Sequence, residues 1–417
     1  MAQLSNDCFA FGGEMMAVGK ALALLAERVE AVTGTEHVGL SDALGRVLAG
    51  DVVAPFDVPP HDNSAVDGYA VFFDDLKPEG SSLLPVTARV AAGHALDRPG
   101  RRGEAVRIFT GAPMPAGFDT VLMQEDCVAG EDTVSIPAGI KRGANRRKAG
   151  EDMQKGSTVL AAGRRLRAED VGLLASLGQR EVEVRKALRV AVFSTGDEVR
   201  EPGVPLDAGC IYDANRFALI AALRQLGCAV TDLGILPDRR EAIRDALGDA
   251  ADRHDALITS GGMSTGEEDH VKAAVEAQGS LHFWRLAIKP GRPVALGTVR
   301  NAAFIGLPGN PVAVMVTFLR IARPILLRMM GAAEEAPALF PLRAGFTYKK
   351  KAGRREYVRA TLARAADGVL TAVKHPRDGA GILSSMVEAD GLVELPEDVT
   401  RVEPGMVVEF LPFSEVR

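Results

Sequence analysis

The stretch at residues 259–272 reads T-S-G-G-M-S-T-G-E-E-D-H-V-K, and it indicates the fold of this chain more directly than any other. The short apolar run Ala256-Leu257-Ile258 precedes it, as expected of a buried parallel strand. Thr265 and Glu268 have the spacing of a capping box, so a helix is expected to begin there and run toward Ala277. A glycine-rich loop between a strand and a helix presents unpaired N–H groups, and it therefore predicts an anion site built around Ser260, Gly261 and Gly262.

Three carboxylates, Glu267, Glu268 and Asp269, follow the glycines and would repel a phosphate. Hard oxygen ligands beside an anion site favour a bridging Mg²⁺. Acidic residues in a first helical turn also complement the helix dipole, which accounts equally well for Glu267 or Glu268. On this stretch alone, a ligand site and an ordinary helix start both remain open.

Residues 188–328 alternate between short apolar segments and longer segments of helical pattern, which predicts a doubly wound, mostly parallel α/β sheet. Strands are expected at 190–193, 229–233, 256–258, 294–296 and 303–306, and helices near 214–226, 239–252, 268–277 and 311–328. The loops at 194–198, 259–272 and 307–311 leave their strands in the same sense. In open α/β sheets such loops meet along one edge and form the ligand crevice.

The flanking segments have a different pattern. Short β-like runs at 86–90, 105–109, 120–123 and 133–136 predict a small β domain, and alternating residues from about 332 predict a second one. Near the start, Leu22, Leu25, Val29 and Val32 predict one face of a helix ending near Gly34. Ser41 is expected to cap a short helix through Leu48.

Composition narrows the functional class. At 417 residues, with 47% hydrophobic and 25% charged residues, the chain is expected to be an ordinary globular protein of several domains. A net charge of −6 argues against a general nucleic-acid binder. Cys8, Cys127, Cys210 and Cys228 have no metal or redox spacing, and the seven histidines form no zinc motif. No leader or long apolar segment is recognisable, so we expect a soluble, cytoplasmic protein without membrane contact.

Two further segments admit more than one interpretation. Residues 55–70 combine prolines with Asp, Asn and Ser, which is typical of a linker but here favours a rigid functional loop. Residues 345–364 carry seven basic side chains against one acid, Glu356, which gives a local positive field or simply a solvated face. Lys289 at a strand exit, together with Arg285, is likewise a surface pair or a phosphate contact.

Taken together, the motifs of this chain resemble the MoeA family of molybdopterin molybdenumtransferases, to which the E domain of gephyrin is related. The matching stretches, in order, are D-N-S-A-V-D-G-Y-A (62–70), T-G-A-P (110–113), G-E-D (150–152), S-T-G-D-E (194–198), I-Y-D-A-N-R (211–216), S-G-G (260–262), G-E-E-D (266–269), I-K-P-G (288–291) and G-L-P-G-N-P (306–311). Any one of them could arise by chance, whereas the ordered set is specific.

The resemblance implies an elongated homodimer of four-domain subunits. A split N-terminal domain would comprise residues 1–51 and 141–187, with an inserted β domain at 52–140. A molybdopterin-binding α/β domain would span 188–331, and a C-terminal β domain 332–417. Family members insert molybdenum from molybdate into adenylylated molybdopterin, releasing AMP, which implies molybdenum cofactor biosynthesis. Contacts with the molybdopterin adenylyltransferase and with molybdoenzyme maturation proteins are expected.

The resemblance also implies an active site shared between subunits. One subunit would supply Asp67, Thr110 and Asp152 from its inserted side. The sheet edge of the other subunit would supply Glu198, Asp238, Asp269, Lys289, Pro308 and Pro311. Our hypothesis from the chemistry is that Asp269, with Glu198 or Asp238, positions Mg²⁺ at the scissile phosphoanhydride.

The departures from the family pattern are few. Arg285 and Arg292 stand where lysine is common, and Val66 stands where methionine is common. Arginine keeps the charge but presents a planar fork rather than a compact ammonium, so the contact geometry at both arginines is expected to differ from that of lysine. Residues 375–385 match the family loosely, and no site residue is assigned there.

Two other functions are compatible with parts of the chain. A molybdopterin adenylyltransferase has a fold similar to residues 188–328, but its loop resembles T-G-G-T-G rather than S-G-G-M-S. A gephyrin-like scaffold without chemistry is the second alternative, and the complete set of carboxylates argues against it.

Overall fold

A computed structural model describes residues 15–262, 270–333 and 336–416 of the chain. Within these ranges no helix is both long enough and apolar enough to cross a membrane.

Two sequence segments that lie far apart build the first region together. Antiparallel pairs join β1 to β12, β2 to β11 and β3 to β10, and one apolar core contains side chains from both segments. The chain therefore leaves this region, forms a separate sheet and returns. The elements of this region are β1 (Thr35–Gly39), β2 (Val52–Val53) and β3 (Asn63–Ser64), then β10 (Arg146–Arg147), β11 (Thr158–Leu160), α2 (Ala168–Ser176) and β12 (Glu181–Arg185). Helix α1 (Val18–Arg28) precedes them in the chain, but its buried side chains join a different apolar core, which also contains Val190 and Ile325.

The structure corrects two expectations near the start. Helix α1 ends at Arg28, so Val29 and Val32 follow it in extended or irregular backbone. No helix runs from Ser41 to Leu48, where only a 3₁₀ turn, Leu40–Asp42, forms. Gly45 has a φ of 76°, and Val47 and Leu48 form bridges to Arg165 and Val184. Val47 and Leu48 thus pair with residues of the later segment, 146–185, and do not form a helix with their neighbours in sequence.

The separate sheet is six-stranded, in the order β7-β4-β6-β5-β9-β8. Strand β4 lies inside this sheet although its sequence is part of the polar 62–70 motif. Gly68 makes this possible, because a Cβ there would lie 1.7 Å from the carbonyl oxygen of Leu122. The strands are β4 (Gly68–Val71), β5 (Ser81–Val90), β6 (Ala105–Ile108), β7 (Thr120–Met123), β8 (Val128–Ala129) and β9 (Thr133–Pro137).

The predicted doubly wound sheet is confirmed in the centre of the chain. Its order is β16-β13-β17-β21-β20-β18; the first four strands are parallel, and β20 and β18 are antiparallel additions. Separate apolar cores cover its two faces. The elements are β13 (Arg189–Thr195), β14 (Val199–Arg200), β15 (Ile211–Tyr212), α3 (Ala214–Leu226), β16 (Ala229–Leu236), α4 (Arg240–Ala251), β17 (Ala256–Ser260), α5 (His270–Glu276), β18 (Gly279–Arg285), β19 (Ile288–Lys289), β20 (Pro293–Val299), β21 (Ala302–Leu307), α6 (Pro311–Thr317), a π-helical turn (Phe318–Ala322) and α7 (Arg323–Met329).

The C-terminal region forms a sheet in the order β19-β24-β25-β22-β28-β26, and an additional β24–β26 pairing closes it into a barrel. Strand β19 comes from the central segment and pairs in parallel with β24, Lys289 opposite Glu356. The α/β sheet and the barrel are therefore joined by backbone hydrogen bonds. The remaining elements are β22 (Phe340–Ala344), β23 (Tyr348–Lys349), β24 (Arg355–Arg364), β25 (Leu370–Lys374), α8 (Ser384–Val387), β26 (Gly391–Leu395), β27 (Arg401–Val402) and β28 (Val407–Pro412).

Candidate active site

The carboxyl ends of β13, β17 and β21 lie side by side because these strands are parallel neighbours. Two of the loops that follow them touch: a Cβ built on Gly261 would lie 3.9 Å from the Cα of Gly309. Gly261 and Gly262 have φ values of 81° and 62°, a backbone conformation that residues with a Cβ rarely adopt. Glycine at these two positions therefore lets the backbone itself form the floor of a site.

A cavity of about 340 Å³, which we call the edge cavity, opens at these strand ends. Six residues singled out from the sequence line it: Glu198, Asp238, Ser260, Gly261, Gly262 and Pro311. Thr195, Tyr212, Asn215 and His270 also line it and were not assigned from the sequence. The C-terminal edge of a doubly wound sheet is the usual place for a ligand crevice, and this cavity lies there.

Three carboxylates line the edge cavity, and one of them, Asp213, is paired with Arg216. The other two are Glu198 and Asp238. The Glu198 carboxylate folds back over Gly196, where an added Cβ would lie 2.7 Å from its Oε2. With the described part of the chain, neither carboxylate forms an ion pair or a side-chain hydrogen bond. Carboxylates of this kind are ligands suited to Mg²⁺.

The third proposed metal ligand, Asp269, lies outside the described residues, as do Glu267, Glu268 and the Thr265 capping box. Among the described residues there is no group of three Asp, Glu, His or Cys side chains that could hold a metal ion. The donor types of Glu198 and Asp238 fit Mg²⁺, and the full ligand set predicted from the sequence stays a prediction.

Arg216 ties together the backbone around this cavity. Its side chain is 2% exposed and donates to Asp213 at 2.8 Å, and to Asp232 and Glu201 at 2.5 Å each. Burial would lower the pKa of Arg216, but the hydrogen bonds to the three carboxylates raise it above its ordinary value, so the guanidinium stays charged. These contacts join the segment after Glu198 to β16, the strand that leads to Asp238.

Asn215, which precedes Arg216 on helix α3, fixes the loop after β21. The Asn215 side-chain amide donates to the carbonyl of Gly309 at 2.7 Å. Asn310 is the N-cap of α6 and Pro311 its first residue, as expected, but the Asn310 side chain makes no capping hydrogen bond. The position of this loop therefore depends on helix α3 and not on a cap of its own.

A second cavity, of about 470 Å³, lies between the loop after β21 and the barrel strands β19 and β24, and we call it the cationic cavity. Four basic side chains line it, Lys289, Arg292, Arg354 and Arg359, against two carboxylates, Glu356 and Asp378. Pro308, Gly309 and Asn310 also line it, and Gly309 is shared with the edge cavity. The loop after β21 thus separates an acidic site from a basic one.

Arg359 has the surroundings expected of a side chain that binds an anion. It is 5% exposed, and its Nε donates to Ser385 at 3.1 Å while Nη2 donates to two backbone carbonyls. Within the described ranges it has no carboxylate in ion-pair contact. Burial lowers the pKa of Arg359, and a bound anion would offset that effect. The basic run at 345–364 was the sequence pattern that pointed here, whereas Asp378 and Ser385 had no such pattern.

The remaining predicted residues are spread more widely. Lys289 and Pro308 line the cationic cavity, whereas Arg285, the last residue of β18, is exposed and lines neither cavity. Asp67 accepts hydrogen bonds from the backbone N–H and the hydroxyl of Thr110, both at 2.8 Å. The backbone bond, followed by the hydroxyl bond, lowers the pKa of Asp67. Asp152 is exposed.

Asp67, Thr110 and Asp152 therefore do not meet the other predicted residues within one chain. Neither cavity includes a described residue from the six-stranded inserted sheet. Asp67 and Thr110 form a hydrogen-bonded pair just before β4 and just after β6, two interior strands of that sheet.

Family models match most of the chain in three consecutive pieces. The MoeA N-terminal region (domains I and II) matches residues 16–178, a probable molybdopterin binding domain matches 191–328, and the MoeA C-terminal region (domain IV) matches 341–413. Both cavities are built from residues within the second and third matches.

Relatives and solved structures agree with these matches. The chain is 38% identical over 404 residues to the molybdopterin molybdenumtransferase of Haemophilus influenzae, covering 96% of this chain and 100% of that protein. It is 37% identical to molybdopterin molybdenumtransferase 2 of Mycobacterium tuberculosis, covering 88% and 92%. A crystal structure of a molybdopterin biosynthesis MoeA protein from Pyrococcus horikoshii OT3 superposes with a TM-score of 0.81 at 28% identity, covering 96% and 100%.

Proposed function

The chain belongs to the MoeA family, and from this premise we propose that it inserts molybdenum from molybdate into adenylylated molybdopterin, with Mg²⁺ and with release of AMP. Its place is in molybdenum cofactor biosynthesis, as a molybdopterin molybdenumtransferase. The observation that carries the finer proposal is the pair of adjoining cavities, one acidic and one cationic, that share Gly309.

The edge cavity fits the phosphoanhydride end of an adenylylated pterin. The backbone of Gly261 and Gly262 lines it and leaves room for phosphate oxygens. Glu198 and Asp238 would hold Mg²⁺, which supplies positive charge beside the leaving phosphate. Without a cation the two carboxylates would repel the same phosphates, so acidic residues in a phosphate site favour the Mg²⁺-dependent reaction.

The cationic cavity fits the oxyanion substrate. Molybdate is a compact dianion, and four basic side chains against two carboxylates leave the cavity positive. Charge-assisted hydrogen bonds from Lys289 and Arg359 are the contacts that such a dianion prefers. The shared Gly309 keeps the two substrates near each other, as transfer of molybdenum to the pterin requires.

The assembly belongs to the same proposal. We propose a cytoplasmic homodimer of four-domain subunits with the predicted boundaries, in which Asp67, Thr110 and Asp152 of one subunit complete the cavities of the other. In this proposal Asp269 binds the metal, and Arg285 and Pro308 contact the substrate. Contacts with the adenylyltransferase and with maturation proteins are part of this proposal.

Molybdate-dependent AMP release tests the proposal. Adenylylated molybdopterin is incubated with the protein and Mg²⁺, with and without molybdate, and AMP is measured by chromatography. Asp238→Asn should lower the rate by orders of magnitude, because the edge cavity loses a charged metal ligand. Asp249→Asn changes an exposed carboxylate on helix α4, away from both cavities, and should behave as wild type.

Two results would contradict the proposal. Wild-type protein that forms adenylylated molybdopterin from molybdopterin and ATP, but releases no AMP with molybdate, would be an adenylyltransferase. Protein that catalyses neither reaction while binding the pterin would be a scaffold.

A further inference from the structure

Glu356 is a buried carboxylate in the wall of the cationic cavity, where a negative charge should weaken oxyanion binding. Its residue is 1% exposed, and it is the single acid of the basic 345–364 run. Asp378, the other carboxylate of that wall, is 57% exposed at its side chain and pairs with Lys374. The burial of Glu356 therefore needs a separate explanation.

Three donors converge on Glu356. Tyr348 Oη donates to Oε2 at 2.7 Å, Arg354 Nε donates to Oε1 at 2.7 Å, and Lys289 Nζ donates to Oε2 at 3.3 Å. Burial would raise the pKa of Glu356, but the bonds from Tyr348 and Arg354 and the charge of Lys289 lower it overall. The carboxylate is thus ionised at neutral pH and fully occupied by its donors.

Tyr348 completes the arrangement around Lys289. Burial, and then the Glu356 carboxylate, raise the pKa of Tyr348, so its phenol stays protonated and donates to Glu356. Lys289 Nζ in turn donates to the phenol oxygen at 3.2 Å and lies 5.8 Å from the ring centroid. The ammonium is thereby held by two oxygens, one from Glu356 and one from Tyr348.

The backbone brings these groups together. Lys289 and Glu356 are directly paired residues of β19 and β24, so their side chains start from adjacent strands. The lysine side chain is nevertheless 44% exposed and has four rotatable bonds. A lysine without such partners loses rotamer freedom when a ligand fixes it, and that loss opposes binding.

We propose that Glu356, together with Tyr348, is a positioning residue that orients the Lys289 ammonium for the oxyanion substrate. This inference rests on the proposed function of the cationic cavity. The negative charge of Glu356 weakens the attraction between the cavity and the oxyanion. This loss is offset because Lys289 is already oriented before the anion binds. Glu356 itself has no donor to offer an oxyanion and acts through Lys289.

A double-mutant cycle on the full-length protein tests this role. Molybdate affinity is measured by calorimetry for wild type, Glu356→Gln, Lys289→Met and the double variant. Glu356→Gln should weaken molybdate binding roughly fivefold to tenfold, and it should raise KM for molybdate rather than lower kcat for AMP release. In the Lys289→Met background the Glu356→Gln change should have no further effect.

The matched control is Glu397→Gln. Glu397, in the turn after β26, pairs at 3.0 Å with Arg355, the neighbour of Glu356 on β24, but neither Glu397 nor Arg355 lines the cationic cavity. This variant loses an ion pair of the barrel and should keep wild-type molybdate affinity. Tyr348→Phe retains the carboxylate and removes only one donor, so it provides the same test of affinity if Glu356→Gln does not fold.

The outcomes separate this inference from the function on which it rests. Wild-type protein that binds no molybdate overturns both. Molybdate binding that is weakened by Lys289→Met but unchanged in Glu356→Gln and Tyr348→Phe overturns the positioning role alone. So does a Glu356→Gln effect of full size in the Lys289→Met background, because Glu356 would then act by another route.

Discussion

Arg216 is the largest fully buried side chain among the described residues, and it binds three carboxylates next to the edge cavity. Arg216→Met should lower the free energy of unfolding by about 2–4 kcal/mol, because Asp213 is left buried with an unpaired charge. The loss is at the lower end of that range if Asp232 and Glu201, which are 36% and 44% exposed, regain water. Urea unfolding followed by circular dichroism measures it.

Arg224→Met is the matched control for Arg216→Met. Arg224 lies on the same helix and is exposed, with no carboxylate partner among the described residues. Its replacement should change stability by less than about 0.5 kcal/mol. Equal losses in the two variants would show that the Arg216 cluster contributes nothing specific.

At the scale of single residues, the edge cavity was more predictable than the cationic one. Glu198 follows a parallel strand, and the rule that such strand ends meet predicts its place beside Gly261. Asp238 was assigned through the family resemblance alone, and the structure places it in the same cavity. Tyr348, Glu356 and Arg359 come from the barrel, and only the β19–β24 pairing brings them to Lys289. Nothing in a two-residue strand such as Ile288-Lys289 predicts that pairing.

Glu104, at the entrance to β6, links neighbouring parts of the inserted sheet. It accepts from Thr87 at 2.6 Å, from Arg98 at 2.7 and 3.0 Å, and from the backbone of Arg101 at 2.7 Å. The Arg98 hydrogen bond is the main reason that the pKa of Glu104 falls to about 2. The pKa of Glu104 is lower in the folded protein than in the unfolded chain, where it is about 4.3. The ionised carboxylate therefore stabilises the fold above about pH 4.3, and this stabilisation is lost as the pH falls through about 2.

Glu104→Gln should therefore destabilise the sheet by about 1–2 kcal/mol at pH 7, after allowance for the partly exposed Arg98. The difference from wild type should shrink progressively below about pH 4.3. Urea midpoints measured at several pH values give the comparison. Glu131→Gln changes an exposed carboxylate in the turn between β8 and β9 and should show no such pH dependence.

Elements with a clear periodicity were predicted well, and those set by distant partners were not. The strands and helices of the central sheet follow their hydrophobic pattern, except for β18, whose residues 279–285 were assigned no strand. Strand β4 has Asp67 and Gly68 at its start and looks like a loop, yet pairs with β6 and β7. The helix expected after Ser41 gave way to bridges with residues more than 100 positions later.

The whole molecule is predicted to share its active sites between subunits. Asp67→Asn and Asp238→Asn should each abolish AMP release, because one removes the inserted-sheet carboxylate and the other the edge-cavity carboxylate. Mixed and re-equilibrated, they should recover roughly a quarter of wild-type activity, since half of the dimers are mixed and each mixed dimer has one intact site. Chromatographic AMP assays on the mixture measure the recovery.

Subunit exchange must be verified separately, with one variant carrying an affinity tag. A mixture of Asp238→Asn with Glu198→Gln is the control, because both changes fall in the same cavity and no mixed dimer has an intact site. Verified exchange without recovery in the Asp67 mixture would mean that Asp67 acts within its own chain.

The short strand β19 has a consequence for inheritance by recombination. A crossover in the loop between α7 and β22 would transfer Tyr348, Arg354, Glu356 and Arg359 with the barrel but leave Lys289 and Arg292 behind. In the recombinant, the two groups of cavity residues would come from different parents. Lys289 of one parent would then pair with the residue that the other parent carries at position 356. If the cationic cavity binds the oxyanion as proposed, a change of oxyanion requires changes on both sides of that loop together, although the barrel looks like a separable module.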